Sequence, residues 1–122
     1  IISTIVGPEI VSGSTRMKSG TATKMILNMI STTIMVKLNK TYGNLMVDLK
    51  ISNLKLLDRA VKIVSQLTKK SYDESKDILN RAGGNIKIAV IMLKLNKTLE
   101  DSKKILESSD GSLRKIIEPN LL

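Results

Sequence analysis

Residues 7–24 read GPEIVSGSTRMKSGTATK and run directly into a long apolar stretch that continues to residue 38. Besides three glycines, the segment contains residues with suitable chemistry for a binding loop, among them the carboxylate of Glu9, the hydroxyls of Ser14 and Thr15, and the cations of Arg16 and Lys18. Backbone N–H groups at the start of a helix bind anions, and neighbouring hydroxyls and cations strengthen that binding. The segment therefore predicts a loop that handles a hydroxylated, anionic small molecule at a helix N-terminus.

The same residues also fit a purely structural role. A glycine-rich connector would need only an ordinary N-cap, for which Ser19 and Thr21 are suitable, and an ion pair between Glu9 and Arg16. Residue types alone leave both interpretations open. The segment is not a P-loop, because the pattern GxxxxGK[ST] does not occur in the chain.

Apolar spacing predicts one long helix followed by several short ones. The first, Thr21–Leu38, is apolar on most sides, which is typical of a helix that is buried on most sides. It needs packing partners, so we expect the chain to be part of a longer protein or of a tight dimer. Ile1–Val6 fits either a short strand or the approach to a loop.

The remainder of the chain follows a connector with some strand character, Thr41–Leu49. The capping-box pattern Ser71-x-x-Glu74 predicts a helix start, and Gly83-Gly84 predicts a helix end. Pro119 should end the final helix. No periodic repeat is evident. The short amphipathic helices are expected at residues 53–68, 71–82, 86–95, 98–107 and 112–117.

Composition excludes several kinds of site. The 122 residues include no cysteine and no histidine, so disulfides, thiolate chemistry, a Ser-His-Asp triad and the usual transition-metal ligand sets are all missing. The length fits one compact domain or a piece of something larger, and a start without Met or a signal peptide suggests an internal start. No apolar run is long enough for a membrane span.

The net charge of +9 raises the question of nucleic-acid binding. Two features argue against it: the only aromatic residues are Tyr42 and Tyr72, and the lysines are mixed with acidic residues along predicted helices. We therefore expect neither a nucleic-acid nor a membrane partner.

Longer motifs carry a resemblance to a known family. The strings GPE, GSTRMK-x-GTA and NM-x-ST, followed by GNLMVDL and RAGGNIKIAVIM, closely resemble N-acetylmuramic acid 6-phosphate etherases. The resemblance covers essentially all of this chain but only the C-terminal part of the family's chain. It implies that residues 1–47 are the C-terminal part of an α/β sugar isomerase (SIS, flavodoxin-like) domain. Residues 48–122 would form a small all-α cap that resembles a ubiquitin-associated-type (UBA-like) bundle, which makes this fragment predominantly helical.

The resemblance also implies a function. The family's enzymes are cytoplasmic homodimeric lyases that need no metal or organic cofactor. They cleave the D-lactyl ether of N-acetylmuramic acid 6-phosphate to N-acetylglucosamine 6-phosphate and D-lactate during recycling of cell-wall sugar. The family's acid–base glutamates lie upstream of this chain, so no catalytic residue is assigned here and the fragment alone should be inactive.

The residues of this chain that match the family's loop are implied to contact the phosphorylated amino sugar. Glu9 is assigned to sugar hydroxyls, and Ser14, Thr15, Arg16 and Lys18 to the vicinity of the substrate. Arg16 and Lys18 alternatively hold Glu9 or a partner subunit.

Two other functions stay open. A non-catalytic regulator of the glucokinase regulatory protein type has a similar fold and loop and binds fructose phosphates without transforming them. A helical interaction module built on residues 53–122 is the third possibility.

Overall fold

The computed structural model describes residues 1–118, which include six helices and one two-stranded hairpin. The prediction of a predominantly helical chain is confirmed. The predicted end of the last helix at Pro119 lies outside the described residues. The elements in chain order are α1 Lys18–Lys37, β1 Thr41–Tyr42, β2 Leu45–Met46, α2 Leu54–Thr68, α3 Tyr72–Arg81, α4 Ile86–Leu95, α5 Leu99–Ser108 and α6 Leu113–Ile117.

The chain divides into two compact units, Ile1–Lys37 and Leu38–Leu122. Ten residues that the sequence assigned to the first domain, 38–47, thus belong to the second unit. The physical reason lies in the hairpin, in which Thr41 pairs with Met46 and Tyr42 with Leu45. Its next residue, Val47, is 1% exposed within the apolar core of the second unit. The assignment of residues 1–47 to one SIS domain remains a prediction.

The first unit consists of an irregular segment and α1. Residues 1–6 form neither helix nor strand, and Gly7 and Gly13 have the positive φ values of tight turns. Helix α1 begins at Lys18, three residues before the predicted start, so the predicted N-caps Ser19 and Thr21 lie inside the helix. No residue of α1 is buried.

The second unit is built around α4. Every residue from Ile86 to Met92 is buried in α4, which contacts α2, α3, α5 and α6. The predicted helix starts are confirmed by their caps: Asn53, Ser71, Asn85, Thr98 and Ser112 each accept a hydrogen bond from a first-turn backbone N–H. The predicted Ser71/Glu74 capping box is present. These caps satisfy N–H groups that have no partner within a helix.

The structure reveals a repeat that was not evident from the sequence. Positions of the second unit correspond at an offset of 27 residues, as between the N-caps Ser71 and Thr98. Gly84 N–H donates to the Leu79 carbonyl at 2.9 Å, and Gly111 N–H donates to the Leu106 carbonyl at 2.9 Å. Further pairs are the left-handed residues Lys69 and Asn96, the left-handed residues Gly83 and Asp110, the N-caps Asn85 and Ser112, and the fully buried serines Ser75 and Ser102. The second unit is thus a tandem helical repeat.

Candidate functional site

The centre of the candidate site is the carboxylate of Glu9. Its Oε2 accepts a hydrogen bond from the Lys18 N–H at 3.0 Å, and its Oε1 accepts one from the Ser19 N–H at 3.0 Å. These two N–H groups open α1, so Glu9 caps the helix from nine residues upstream. A negative charge at a helix N-terminus is also stabilised by the helix dipole. This cap explains why α1 begins earlier than its own sequence predicts.

The cap keeps Glu9 ionised. Hydrogen bonds from the backbone N–H groups of Ser19 and Lys18, in that order, lower the pKa of the Glu9 carboxyl below its ordinary value of 4.5. Desolvation acts in the opposite direction and is outweighed. A carboxylate has about four acceptor positions, so Glu9 can accept further hydrogen bonds while it caps the helix.

Lys18 closes the loop from the other side. Its Nζ donates to the Pro8 carbonyl at 2.7 Å, next to the Glu9 that its backbone N–H holds. Side chain and backbone of Lys18 thus tie the GPE segment to the start of α1. This geometry favours the alternative in which Lys18 positions Glu9.

The structure shows backbone hydrogen bonds for Ser14 and Thr15, and no side-chain hydrogen bond for Ser14, Thr15 or Arg16 within residues 1–118. Ser14 N–H donates to the Val11 carbonyl at 3.0 Å, and the Thr15 carbonyl accepts from the Gly20 N–H at 2.8 Å. Within residues 1–118 these three side chains make no hydrogen bond, and Arg16 forms no ion pair with Glu9. Thr15 and Arg16 are exposed, and Ser14 is partly buried. Their polar groups are therefore available to a ligand.

A cavity of about 320 Å³ lies between residues 2–4 and the first turns of α1. Four hydroxyl side chains line it, Ser3, Thr4, Ser19 and Thr23, together with apolar groups that include Ile26. Thr23 Oγ1 donates to the Ser19 carbonyl at 2.9 Å. The cavity therefore includes Ser19, whose backbone N–H donates to Glu9.

Sequence reasoning missed a second cavity, of about 650 Å³, in the helical unit. Three cations of α2 line it, Lys55, Arg59 and Lys62, together with Asp58 and with Leu45 of the hairpin. The signal was present in the sequence, because cations spaced by four and three residues share one helix face. The wall from the hairpin was not predictable, because the two-residue strands give almost no strand pattern.

Charge in this cavity is unbalanced. Asp58 pairs with Lys62 at 2.7 Å and accepts a hydrogen bond from the Tyr72 hydroxyl at 3.2 Å. The hydrogen bond from Lys62 is the main cause that lowers the pKa of Asp58. Within residues 1–118, Lys55 and Arg59 have no ion-pair partner. The cavity therefore suits an anionic ligand.

Residues 1–118 contain neither a metal-binding cluster nor a membrane-spanning helix. No group of three or more acidic, histidine or cysteine side chains is arranged to hold a metal ion. None of the helices there is both long enough and apolar enough to cross a membrane.

Comparison with known proteins identifies relatives along nearly the whole chain. It is 48% identical to the N-acetylmuramic acid 6-phosphate etherase of Clostridium acetobutylicum over 96% of its own length and 39% of that protein. Identity is also 48% to the etherases of Bacillus subtilis, over 96% of this chain and 38% of that protein, and of Pectobacterium atrosepticum, over 95% and 38%. Residues 43–86 match the model of the C-terminal lid domain of glucokinase regulatory protein.

These comparisons confirm the resemblance drawn from the sequence motifs. The chain spans about two fifths of the length of the curated relatives it matches. It is homologous to a C-terminal portion of N-acetylmuramic acid 6-phosphate etherases.

Proposed function

We propose that this homologue of the etherases is the C-terminal part of an enzyme that cleaves the D-lactyl ether of N-acetylmuramic acid 6-phosphate. The observation that carries the proposal is 48% identity over 96% of the chain. The products would be N-acetylglucosamine 6-phosphate and D-lactate. The finer expectations belong to the same proposal: an SIS-type domain completed by upstream residues, a UBA-like helical cap, a cytoplasmic homodimer, and catalysis without a metal or organic cofactor.

In this enzyme Glu9 would accept hydrogen bonds from sugar hydroxyls. Its lowered pKa supports this role, since only the ionised carboxylate offers every oxygen lone pair as an acceptor. Lys18 would position Glu9, because its backbone N–H donates to the Glu9 carboxylate and its Nζ donates to the carbonyl of the preceding residue, Pro8. Ser14, Thr15 and Arg16 would supply donors to the phosphorylated amino sugar.

The helical unit would bind an anion in its own cavity. Lys55 and Arg59 supply positive charge on one face of α2, and a phosphate ester forms strong charge-assisted hydrogen bonds with such groups. The match of residues 43–86 to a lid domain supports a role of this unit near a ligand. Acid–base catalysis would remain with glutamates upstream of this chain.

The test is a coupled assay on the complete gene product that contains this chain. N-acetylmuramic acid 6-phosphate is supplied, and released D-lactate is measured. We expect lactate release from the complete protein and none from residues 1–122 alone. Heat-sensitive turnover by the 122-residue chain would show that the catalytic groups lie within it.

A regulator that binds phosphosugars without transforming them is the second candidate, because the lid-domain match comes from glucokinase regulatory protein. Tight binding of the sugar phosphate by the complete protein, with no lactate released, would establish this function. Glu9 would then be a recognition residue with no part in a reaction.

A further inference from the structure

Side-chain contacts join residues just after α1, and one residue of α4, to the last turn of the helical repeat and the residues that follow it. Asn39 Nδ2 donates to the Asp110 carbonyl at 3.1 Å, and Lys87 Nζ donates to the Gly111 carbonyl at 2.9 Å. The Tyr42 hydroxyl donates to the Glu118 carboxylate. We call these three contacts the clasp. All of them lie within the second unit: two hold residues 39–42 against residues 110–118, and the third holds α4 against Gly111.

Lys87 is the buried member of the clasp. It is 6% exposed, and desolvation is the main cause that lowers the pKa of its ammonium. The charge of Asp48 favours the ammonium and that of Lys40 disfavours it, while these two side chains pair with each other at 3.1 Å. A buried ammonium is costly unless it is well paired and hydrogen-bonded.

The repeat shows that packing alone does not require a charge at this position. The residue 27 positions before Lys87 is Ala60, which is fully buried in α2. The corresponding turns also differ in what contacts them. A side-chain methyl of Ile51 approaches Gly84, whereas the ammonium of Lys87 approaches Gly111. The turn at Gly84 is therefore contacted by an apolar side chain, and the turn at Gly111 by a hydrogen-bonding ammonium.

We propose that the clasp is a conformational latch that joins residues 38–48 and the α5–α6 turn into one cooperative unit. This unit opens separately from the packing of α2, α3 and α4. The hairpin has two residues in each strand and depends on such docking, since an isolated hairpin is marginal in water. Loss of the Lys87 contact frees the turn and the hairpin together and leaves the packing of α2, α3 and α4 in place. The proposal does not depend on the proposed enzymatic function.

Hydrogen exchange on the complete gene product tests the latch. Two amides report on it: Val47 N–H, which donates to the Lys40 carbonyl at 3.0 Å, and Gly111 N–H, which donates to the Leu106 carbonyl. In Lys87→Met both should exchange at least about tenfold faster, with amides of α2 unchanged. Methionine keeps the apolar stem, and Lys94→Met, at an exposed position of the same helix, is the control.

Faster exchange throughout the helical unit would show that Lys87 serves general stability, and unchanged exchange at Val47 would show that the hairpin is held without it. Either result overturns the latch. If Lys87→Met does not fold, Asn39→Ala replaces it, because that side chain is partly exposed and removes a second contact of the clasp. It should accelerate the same two amides by a smaller factor, and no acceleration at either one would again overturn the proposal.

Discussion

Helices α1 and α4 both contain many apolar residues, nine of twenty in α1 and eight of ten in α4, but their environments are opposite. Residues 86–92 of α4 are all buried, whereas none of the twenty residues of α1 is. Met25, Leu27 and Met29 of α1 are each more than half exposed. Helix α4 has four helices around it, whereas α1 is the one helix of the first unit, residues 1–37. An apolar pattern therefore predicts that a helix needs packing partners. Whether those partners are present depends on the other elements around it.

The largest expected effect comes from truncating one isoleucine in each helix. Ile91→Ala, at a fully buried position of α4, should lower the free energy of unfolding by about 2–5 kcal/mol because it leaves a cavity. Ile30→Ala, at a position of α1 that is 41% exposed, should cost less than about 0.5 kcal/mol in the 122-residue chain. Urea denaturation measures both. Equal losses would show that α1 is packed in solution, as in a self-associated chain.

The next largest effect is expected on kcat/KM, from removal of a carboxylate in the first unit but not from removal of one in the second. Glu9→Gln in the complete protein should lower kcat/KM for N-acetylmuramic acid 6-phosphate by at least about tenfold, because one acceptor oxygen becomes a donor amide. Glu107→Gln, at an exposed position of α5, is the matched control and should have no effect. Unchanged kinetics of Glu9→Gln would remove Glu9 from the substrate site.

A smaller effect is expected from the second cavity. Arg59→Ala should raise KM by about fivefold with little change in kcat, since loss of an exposed charge contact to a bound anion weakens ground-state and transition-state binding alike. Lys104→Ala, which removes an exposed cation of α5, controls for net charge. Equal KM values in the two variants would show that the second cavity takes no part in substrate binding.

Two buried serines in the core of the helical unit are expected to lower its stability, so their replacement should raise the free energy of unfolding. The hydroxyls of Ser75 and Ser102 are buried and have no hydrogen-bond partner within residues 1–118. Ser75→Ala should therefore raise the free energy of unfolding by about 0.5–1 kcal/mol. In Ser65→Ala the sign should reverse, because the Ser65 hydroxyl donates to the Lys70 carbonyl at 2.7 Å. Destabilisation by Ser75→Ala would indicate that its hydroxyl is bonded in solution.

The smallest effect is a pH dependence at the start of α1. Because folding lowers the pKa of Glu9 below 4.5, its contribution is present above pH 4.5 and is lost as the pH falls through the lowered value. The amide resonance of Ser19 should titrate with a midpoint below 4.5. In Glu9→Gln that titration should disappear, and a midpoint at or above 4.5 in the unsubstituted chain would contradict the cap.

The sequence predicted those features that local chemistry determines. The starts of α3 and α5 followed from the capping patterns at Ser71 and Thr98, because each cap acts within its own helix turn, and the starts of the other short helices followed from apolar spacing and glycine breaks. The start of α1 was placed late, because its cap comes from Glu9, across a loop whose path the sequence does not specify. Among the predicted site residues, the structure joins Glu9 to Lys18. The side chains of Ser14, Thr15 and Arg16 make no hydrogen bond within residues 1–118, so their role in ligand binding stays a prediction.

The cavity of the helical unit and the repeat escaped prediction for related reasons. Leu45 reaches the cations of α2 only through the fold, and so the three cations resemble an ordinary solvated surface in the sequence. The repeat is carried mainly by backbone conformation. Lys69 and Asn96 share a left-handed conformation, as do Gly83 and Asp110, although neither pair shares a residue type.

The repeat also bears on the order of events during folding. Each 27-residue unit makes its turn and cap contacts between near neighbours in sequence, and topologies rich in local contacts fold fast, in microseconds to milliseconds. The contact between Asn39 and Asp110 closes a span of 71 residues. Closing so long a loop costs conformational entropy before the contact can stabilise the fold. We therefore expect the helices to assemble first and the hairpin to dock in the last kinetic phase.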